Sequence, residues 1–220
     1  MSRWCAGMML LVLLFLSYEA CSQKNKTEQS PAQPLASTKK QDAERILGEN
    51  CVFTLKAPTG WVLKNWSGVR AGGPDAEVVP LGSDWPASVR IDVFALQKDT
   101  RLRLRVPRLE PRIMTFEEII QEDDHSYPDA KNDVLSSAPW QQIGPSLLAR
   151  GARKVVIKRC EWGNNIAFKV FIDEPNVVVF IDLFAWQKEV LQKSLPAFQE
   201  LIQSYCYLGE NVENPGSSAK

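Results

Sequence analysis

The feature that most constrains the fold of this 220-residue chain is a strand that is apolar on both faces. Residues 177–185 read Val-Val-Val-Phe-Ile-Asp-Leu-Phe-Ala, and Asp182 alone interrupts the apolar run. A strand of this composition has to be covered on both faces. Glu174, Pro175 and Asn176 connect it to the strand before it, and so short a connection makes the pairing antiparallel. The sequence therefore predicts an antiparallel β-sheet flanked by helices, an α/β/α sandwich of the α+β class.

Alternation of apolar and polar residues predicts the other strands. In the stretch from Arg101 to Val106, arginine alternates with leucine and valine, so the arginines are expected on one face of a strand. We expect strands over the following segments: Cys51–Ala57, Ser88–Leu96, Arg101–Val106, Ala152–Glu161 and Asn165–Asp173.

Two helices have recognisable starts. Thr115 followed by Glu118 forms a capping box, which predicts a helix from residue 115 onward. Ser194 is a candidate N-cap for a closing helix, because Pro196 would then lie in the first turn, where its missing N–H is harmless. The apolar stripe of that closing helix comprises Leu195, Phe198, Leu201, Ile202 and Tyr205.

The N-terminus has the pattern of an export signal. Arg3 precedes an apolar run from Met8 to Leu16, which is too short to cross a bilayer and is typical of a secretory h-region. Ala20 followed by Cys21 resembles a bacterial lipobox, in which the cysteine is acylated and becomes the first residue. We expect residues 1–20 to be a signal peptide and Cys21 to be lipidated; cleavage without a lipid and an uncleaved start are the alternatives.

Composition divides the rest of the chain. Residues 21–45 are rich in Ser, Gln, Lys and Pro and are expected to be a flexible tether, because they hold too little apolar surface to fold. Residues 46–210 are expected to form a single domain, and residues 211–220 a disordered tail.

The domain resembles the PsbP-like family. The resemblance rests on the opening Phe53-Thr54-Leu55-Lys56-Ala57-Pro58-Thr59-Gly60-Trp61, the helix start Thr115-Phe116-Glu117-Glu118-Ile119-Ile120, a strand entered through Gly151, and the closing helix with Phe198, Ile202 and Ser204. It implies an antiparallel sheet flanked by helices. It also implies a function without catalysis, since members include exported bacterial lipoproteins and photosystem accessory subunits.

Few features point to chemistry. The 26 basic residues balance the 26 acidic ones, so no net charge attracts nucleic acid, and His125 is the single histidine. Nucleophile-elbow, Walker and dinucleotide-binding motifs do not occur in the sequence. The segment from Glu122 to His125 has metal-ligand residue types, but a solvated acidic helix end is the preferred interpretation. We therefore expect no cofactor, no metal and no enzymatic activity.

The arginine-rich segment is the first candidate binding site. On the expected strand, Arg101, Arg103 and Arg105 would present their guanidinium groups to an anionic ligand or partner. The alternative is an edge strand whose charges block aggregation. Trp66, Trp85 and Trp140, if exposed, are further candidates, because tryptophan often anchors a protein partner. The alternative is that these side chains pack at the rim of the core.

Cysteine usage predicts one disulfide. With Cys5 removed and Cys21 acylated, an oxidising compartment leaves Cys51, Cys160 and Cys206. We predict a Cys51–Cys206 bridge that joins the first strand to the closing helix; three buried free thiols are the alternative.

These observations favour a non-catalytic domain that is exported to the bacterial cell envelope, anchored by lipid on the periplasmic face, or otherwise secreted. It would bind or scaffold an envelope protein or an anionic lipid or polysaccharide, and no nucleic acid. A small-ligand carrier or sensor is one alternative, and an enzyme with an unrecognised carboxylate site is the other.

Overall fold

A computed structural model describes residues 42–48, 50–67, 73–83, 88–105, 108–137 and 140–210. The chain divides into two compact units, Met1–Ser37 and Thr38–Lys220, and the described residues all belong to the second. The predicted signal peptide, lipidated Cys21, most of the tether and the tail lie outside the described residues. The first strand begins at Glu44, two residues before the expected start of the domain.

Ten strands and four helices occur in the described part of the chain. In chain order they are β1 (Glu44–Gly48), β2 (Cys51–Leu55), β3 (Trp61–Asn65), β4 (Ala76–Pro80), β5 (Val89–Gln97), α1 (Thr100–Leu104), α2 (Phe116–His125), β6 (Lys131–Val134), α3 (Trp140–Ala149), β7 (Lys154–Trp162), β8 (Asn165–Asp173), β9 (Val177–Ala185), α4 (Lys188–Ser204) and β10 (Cys206–Gly209). None of these helices is long and apolar enough to span a bilayer.

The strands form two antiparallel sheets. The smaller has the order β1-β2-β10, and the larger has the order β3-β4-β5-β9-β8-β7-β6. Strand β9 lies in the middle of the larger sheet, between β5 and β8. The hairpin through residues 174–176 pairs β8 and β9 antiparallel, as the sequence predicted.

Both faces of the larger sheet are packed against helices. One face, the apolar face, bears Val179 and Ile181 of β9 and shares a core with α3 and α4, including the fully buried Phe198. The opposite face, the charged face, bears Val178 of β9 and packs against Phe116 and Ile119 of α2. The predicted α+β sandwich is confirmed.

Helix α2 starts as the sequence predicted. The Thr115 side chain accepts a hydrogen bond from the Glu118 amide, and the Glu118 carboxylate accepts one from the Thr115 amide. These two bonds satisfy amides that a helix start leaves without partners. The capping box therefore sets where α2 begins on the charged face.

The predicted start of α4 is wrong. The helix begins at Lys188, so Ser194 lies inside it, and its hydroxyl donates to the Val190 carbonyl at 2.8 Å. The buried Leu191 extends the apolar stripe toward the N-terminus, and this burial outweighs the presence of Pro196 in the helix interior.

The predicted strand over residues 101–106 is also wrong. Residues 100–104 form the short helix α1, because the Asp99 carboxylate accepts from the amides of Arg101 and Leu102 and so caps a helix start. The helix ends at Arg105, which has a left-handed φ of 53°. No residue of α1 is buried, so the alternation of leucine with arginine does not mark a core-facing strand.

Candidate functional site

A line of ionisable side chains crosses the charged face at one level, with one residue from each of six strands. Each member is the cross-strand partner of the next, so all six side chains lie on the same face. From β7 to β3 this charged row comprises Lys158, Lys169, Asp182, Asp92, Glu77 and Lys64. The charged row therefore crosses six of the seven strands of the larger sheet.

The neighbouring level of the same face is apolar. Phe171, Phe180 and Phe94 are consecutive cross-strand partners, and their rings stack with centroids 4.8 Å and 5.7 Å apart. Helix α2 covers part of this level through Phe116 and Ile119. The packing fixes the height of α2 above the sheet and brings its C-terminal turn over the charged row.

The lysine end of the row is neutralised by that turn. The Lys169 ammonium lies 2.7 Å from Oδ1 of Asp123, and the Lys158 ammonium lies 2.5 Å from Oδ1 of Asp124 and 3.4 Å from Oδ2 of Asp123. Both lysines are only 2% exposed. Buried charges are tolerated only when they are paired, so these contacts hold the C-terminal end of α2 on the sheet.

The carboxylate end of the row is less well compensated. Arg90 donates its Nε–H to Oδ2 of Asp92 at 2.7 Å, and Lys64 lies 3.8 Å from Oε2 of Glu77. Oδ1 of Asp182 is shielded from solvent and has no hydrogen-bond partner among the described residues. Oε2 of Glu77 also lacks a hydrogen-bond partner among the described residues, but it faces the Lys64 ammonium. Asp182 is the member of the row whose unmet acceptor has no ion-pair partner among the described residues either.

The surroundings of Asp182 favour its neutral form. Burial raises the pKa of this carboxyl to about 7, and the charges of Asp92 and Asp123 act in the same direction. Lys169 and Arg90 act against the shift. A carboxyl group that titrates near neutral pH can accept or release a proton under physiological conditions.

Asp92 and Asp182 form a pair of carboxylates whose chemistry is limited by how little solvent or substrate can reach them. Asp92 faces Asp182 across β5 and β9, an arrangement that suits acid–base catalysis. However, Asp92 is 8% exposed and is held by Arg90, and Oδ1 of Asp182 is closed to solvent. The geometry suits the binding of a proton better than the binding of a substrate.

The cysteine beside the row is a buried thiol. Burial raises the pKa of Cys160 to about 11, although Lys169 and Lys158 act in the opposite direction. A thiol that remains protonated at neutral pH is a poor nucleophile.

In the segment considered as a metal site, residues 122–125, the carboxylates form ion pairs with basic side chains. Glu122 pairs with Arg103, and Asp123 and Asp124 pair with the row lysines. Within the described residues, no group of three His, Cys, Asp or Glu side chains could hold a metal ion.

Beside the charged row, four aromatic side chains form a continuous line of ring contacts. The successive ring centroids are 5.0, 6.3 and 5.1 Å apart, and the members of this aromatic run are Tyr127, Trp162, Phe184 and Trp186. Both ends reach solvent, since Trp186 is 63% and Tyr127 is 40% exposed.

Two cations of the charged face contact the aromatic run. The Arg90 guanidinium lies 5.9 Å from the Phe184 ring centroid, and the Lys169 ammonium lies 4.6 Å from that of Tyr127. Cations over aromatic faces are attracted by the ring quadrupole. The aromatic run and the charged row are therefore one connected surface.

The arginines singled out from the sequence do not form a one-sided row. Arg103 pairs with Glu122, and Arg101 lies 3.7 Å from Asp99. On a helix, residues two apart point in nearly opposite directions, so Arg103 faces away from Arg101. The geometry predicted for an arginine face at Arg101, Arg103 and Arg105 is thus wrong.

The predicted disulfide is absent from the structure. Cys51, Cys160 and Cys206 are free thiols. Cys206 lies opposite Thr54, three residues along β2 from Cys51, which corresponds to about 10 Å along the strand. Because residues three apart on a strand face opposite sides, the two thiols also point apart, and the bridge is excluded by register.

Of the predicted tryptophan anchors, Trp140 is buried and stacks on Phe168 at 5.6 Å. Trp66 is half-buried, and Trp85 lies outside the described residues. Among the described tryptophans, Trp186 is the exposed one instead.

A separate cavity of about 300 Å³ lies at one end of the larger sheet. The cationic group at this site, the Lys98 ammonium, pairs with Asp173 and donates to the carbonyls of Glu174 at 2.5 Å and Pro175 at 3.5 Å. The lining residues are Asn50, Gln97, Lys98, Asp99, Leu102, Ile113, Pro175, Asn176 and Glu210. These contacts use all three donors of Lys98.

No family model and no curated protein matches the chain. Among solved structures, the chain is similar to the solution structure of cyanobacterial PsbP (CyanoP) from Synechocystis sp. PCC 6803. The two share 12% sequence identity and a TM-score of 0.40, over 81% of this chain and 99% of that chain. The α+β fold is established by the sheets and helices of this chain, and the resemblance to the PsbP-like family stays a prediction.

Proposed function

We propose that this protein is a non-catalytic binding domain that docks a partner protein through the aromatic run and Arg90. The observation that carries the proposal is the exposure of Trp186 and Tyr127 at the two ends of one line of aromatic rings. Tryptophan, tyrosine and arginine are the residues most enriched among interface hot spots. All three occur together on this surface.

Arg90 defines the chemistry of the partner. Its Nε–H is used by Asp92, and its terminal N–H groups have no hydrogen-bond partner among the described residues. A guanidinium fork binds a carboxylate with two parallel hydrogen bonds. The partner surface is therefore an apolar patch that receives Trp186, with an aspartate or glutamate beside it.

We also propose that the domain is exported to the bacterial cell envelope and anchored by a lipid on Cys21. The support is the short apolar run ending at Ala20-Cys21 and the polar segment that follows it. Replacing Cys21 with Ser should move the protein from the membrane to the soluble fraction. A wild-type protein that is soluble, with an unmodified N-terminus by mass spectrometry, would contradict the anchor.

The docking proposal is tested by site-specific photo-crosslinking in native membranes. A photoreactive phenylalanine analogue in place of Trp186 should crosslink to one protein, and Arg90→Gln should weaken that crosslink about tenfold or more. The matched control places the same analogue at Leu208, which is also exposed (55%) but lies in the smaller sheet. Equal crosslinks at both positions, or crosslinks to lipid or polysaccharide alone, would contradict a protein-docking surface.

A further inference from the structure

Lys169 connects the charged row to the aromatic run. Its ammonium pairs with Asp123 of α2 at 2.7 Å and lies over the Tyr127 ring at 4.6 Å. Lys169 is also the cross-strand partner of Asp182. One buried cation thus pairs with a carboxylate on the helix, lies over an aromatic ring of the proposed docking surface and acts electrostatically on its cross-strand partner Asp182.

The balance of charge around Asp182 depends on a single proton. The cations that face this region are Lys158, Lys169, Arg90 and Lys64, and the other carboxylates are Asp92, Glu77, Asp123 and Asp124. Four cations balance those four carboxylates when Asp182 is neutral. When Asp182 is ionised, five carboxylates face four cations, and the fifth has an oxygen without a partner.

We propose that protonation of Asp182 controls how firmly the C-terminal turn of α2 and Tyr127 are held on the charged face, and thereby controls docking at the aromatic run. The effect on docking rests on the proposed function, whereas the effect on the attachment of α2 and Tyr127 does not. The proton comes from solvent and stays on an oxygen of the Asp182 carboxyl group, with no other bond changed.

The direction of the response follows from the contacts. Ionised Asp182 repels Asp123 and competes with it for Lys169, so both effects weaken the attachment of α2. When Asp182 is neutral, Lys169 interacts with Asp123 and Tyr127 without this competition. The pKa of about 7 that burial gives to Asp182 places the change near neutral pH. A lower pH therefore holds Tyr127 in place, and a higher pH loosens it.

Amide hydrogen exchange tests the first step without a partner. In the full-length protein, protection factors of residues 119–127, corrected for intrinsic exchange, should fall about three- to tenfold between pH 6 and pH 8. Asp182→Asn, which mimics the neutral carboxyl group, should keep the high protection at both pH values. Asp133→Asn, on the edge strand β6, is the matched control and should behave like the wild type.

Either of two results would overturn the first step: equal wild-type protection at both pH values, or the same fall in Asp182→Asn as in the wild type. A carboxyl ¹³C titration of the wild-type protein gives an independent measurement should Asp182→Asn fail to fold. A carboxyl signal of Asp182 that titrates near its ordinary value of about 4 would then refute the proposal.

Crosslinking from the Trp186 position at the same two pH values tests the link to docking. The expected result is a stronger crosslink at pH 6 than at pH 8 in the wild type, and no difference in Asp182→Asn. A crosslink that is independent of pH, with protection that depends on it, would overturn the link to docking while the proton response stands. Equal crosslinking from the Trp186 and Leu208 positions would instead contradict the proposed function itself.

Discussion

The two faces of the larger sheet differ although the same strands build both. On β9, the residues that point to the apolar face are all aliphatic and fully buried, and they pack against α3 and α4. The residues that point to the charged face include Asp182, which shares its level with five other ionisable side chains. The described part of the chain therefore has an apolar core on one face of the sheet and, on the other, a line of ionisable side chains of which four are buried and two are half-buried.

The comparison shows where stability and function separate. Burial of apolar surface stabilises a fold without requiring a specific partner for each group. Buried ion pairs contribute little net stability and become costly when one partner is missing. An acceptor without a partner at Asp182 is a cost that the apolar face does not carry. The charged face is therefore expected to contribute less to the stability of the fold than the apolar face does.

The largest expected effect is on the apolar face. Phe198→Ala should lower the free energy of unfolding by about 3–5 kcal/mol, because the fully buried ring leaves a cavity that the sheet cannot fill. Urea denaturation measures the loss, which should not depend on pH. Trp186→Ala is the control, since its 63% exposed ring should cost about 1 kcal/mol or less. Equal losses would show that the exposed ring belongs to the core.

On the charged face, Lys169→Ala should cost about 3 kcal/mol, because it leaves Asp123 and Asp182 facing each other without the shared cation. Adding Asp182→Asn should recover part of this loss, so the two changes should be non-additive by about 1 kcal/mol or more. A double-mutant cycle by urea denaturation measures the coupling. Strict additivity would show that Lys169 and Asp182 do not interact.

The dependence of stability on pH distinguishes the faces further. The folded state raises the pKa of Asp182 from 3.8 to about 7, so between these values the folded protein binds the proton and the unfolded chain does not. This contribution to stability is complete below about pH 4 and is lost as pH rises through 7, by about 2–4 kcal/mol in all. Subtracting the Asp182→Asn profile from the wild-type profile should reveal this slope. A flat difference would place the carboxyl group in a solvated environment.

Several individual elements of the sandwich were predictable from the sequence because their signals are local. The alternation in β5, the two-sided hydrophobicity of β9 and the Thr115 capping box each identify an element from a few neighbouring residues. In α1, one local signal misled: alternation over six residues predicted a strand, while the Asp99 N-cap before it indicated a helix.

The charged row was not predictable because it depends on register between strands far apart in sequence. Lys158 is one of several charged residues in β7, whereas Lys169 and Asp182 each have apolar neighbours on both sides in the sequence. Only the pairing of β7, β8 and β9 places the three side by side. The same long-range information was missing for the disulfide, since the pairing of β10 with β2 sets the offset between Cys51 and Cys206. Charged residues within several largely buried strands are the sequence signal available for such a row.

A smaller effect is expected at the start of α2. Thr115→Ala should lower the free energy of unfolding by about 1 kcal/mol, because the Glu118 amide loses its acceptor. Thr115→Ser, which keeps the acceptor oxygen, is the matched control and should cost less than half as much. Thermal denaturation followed by circular dichroism measures both. Equal losses in the two variants would assign the effect to the threonine methyl group.

The smallest effect is expected from the arginines of α1, and it decides which surface of the molecule docks. Changing Arg101, Arg103 and Arg105 together to Gln should alter stability by about 1 kcal/mol or less, since their ion pairs with Asp99 and Glu122 are partly exposed and such pairs are weak. Crosslinking from the Trp186 position should be unchanged in this triple variant. Arg90→Gln removes one charge instead of three, yet it should reduce the crosslink, because its guanidinium lies on the Phe184 ring beside Trp186. The opposite pattern, with loss in the triple variant and none in Arg90→Gln, would move the docking surface from the charged face to α1.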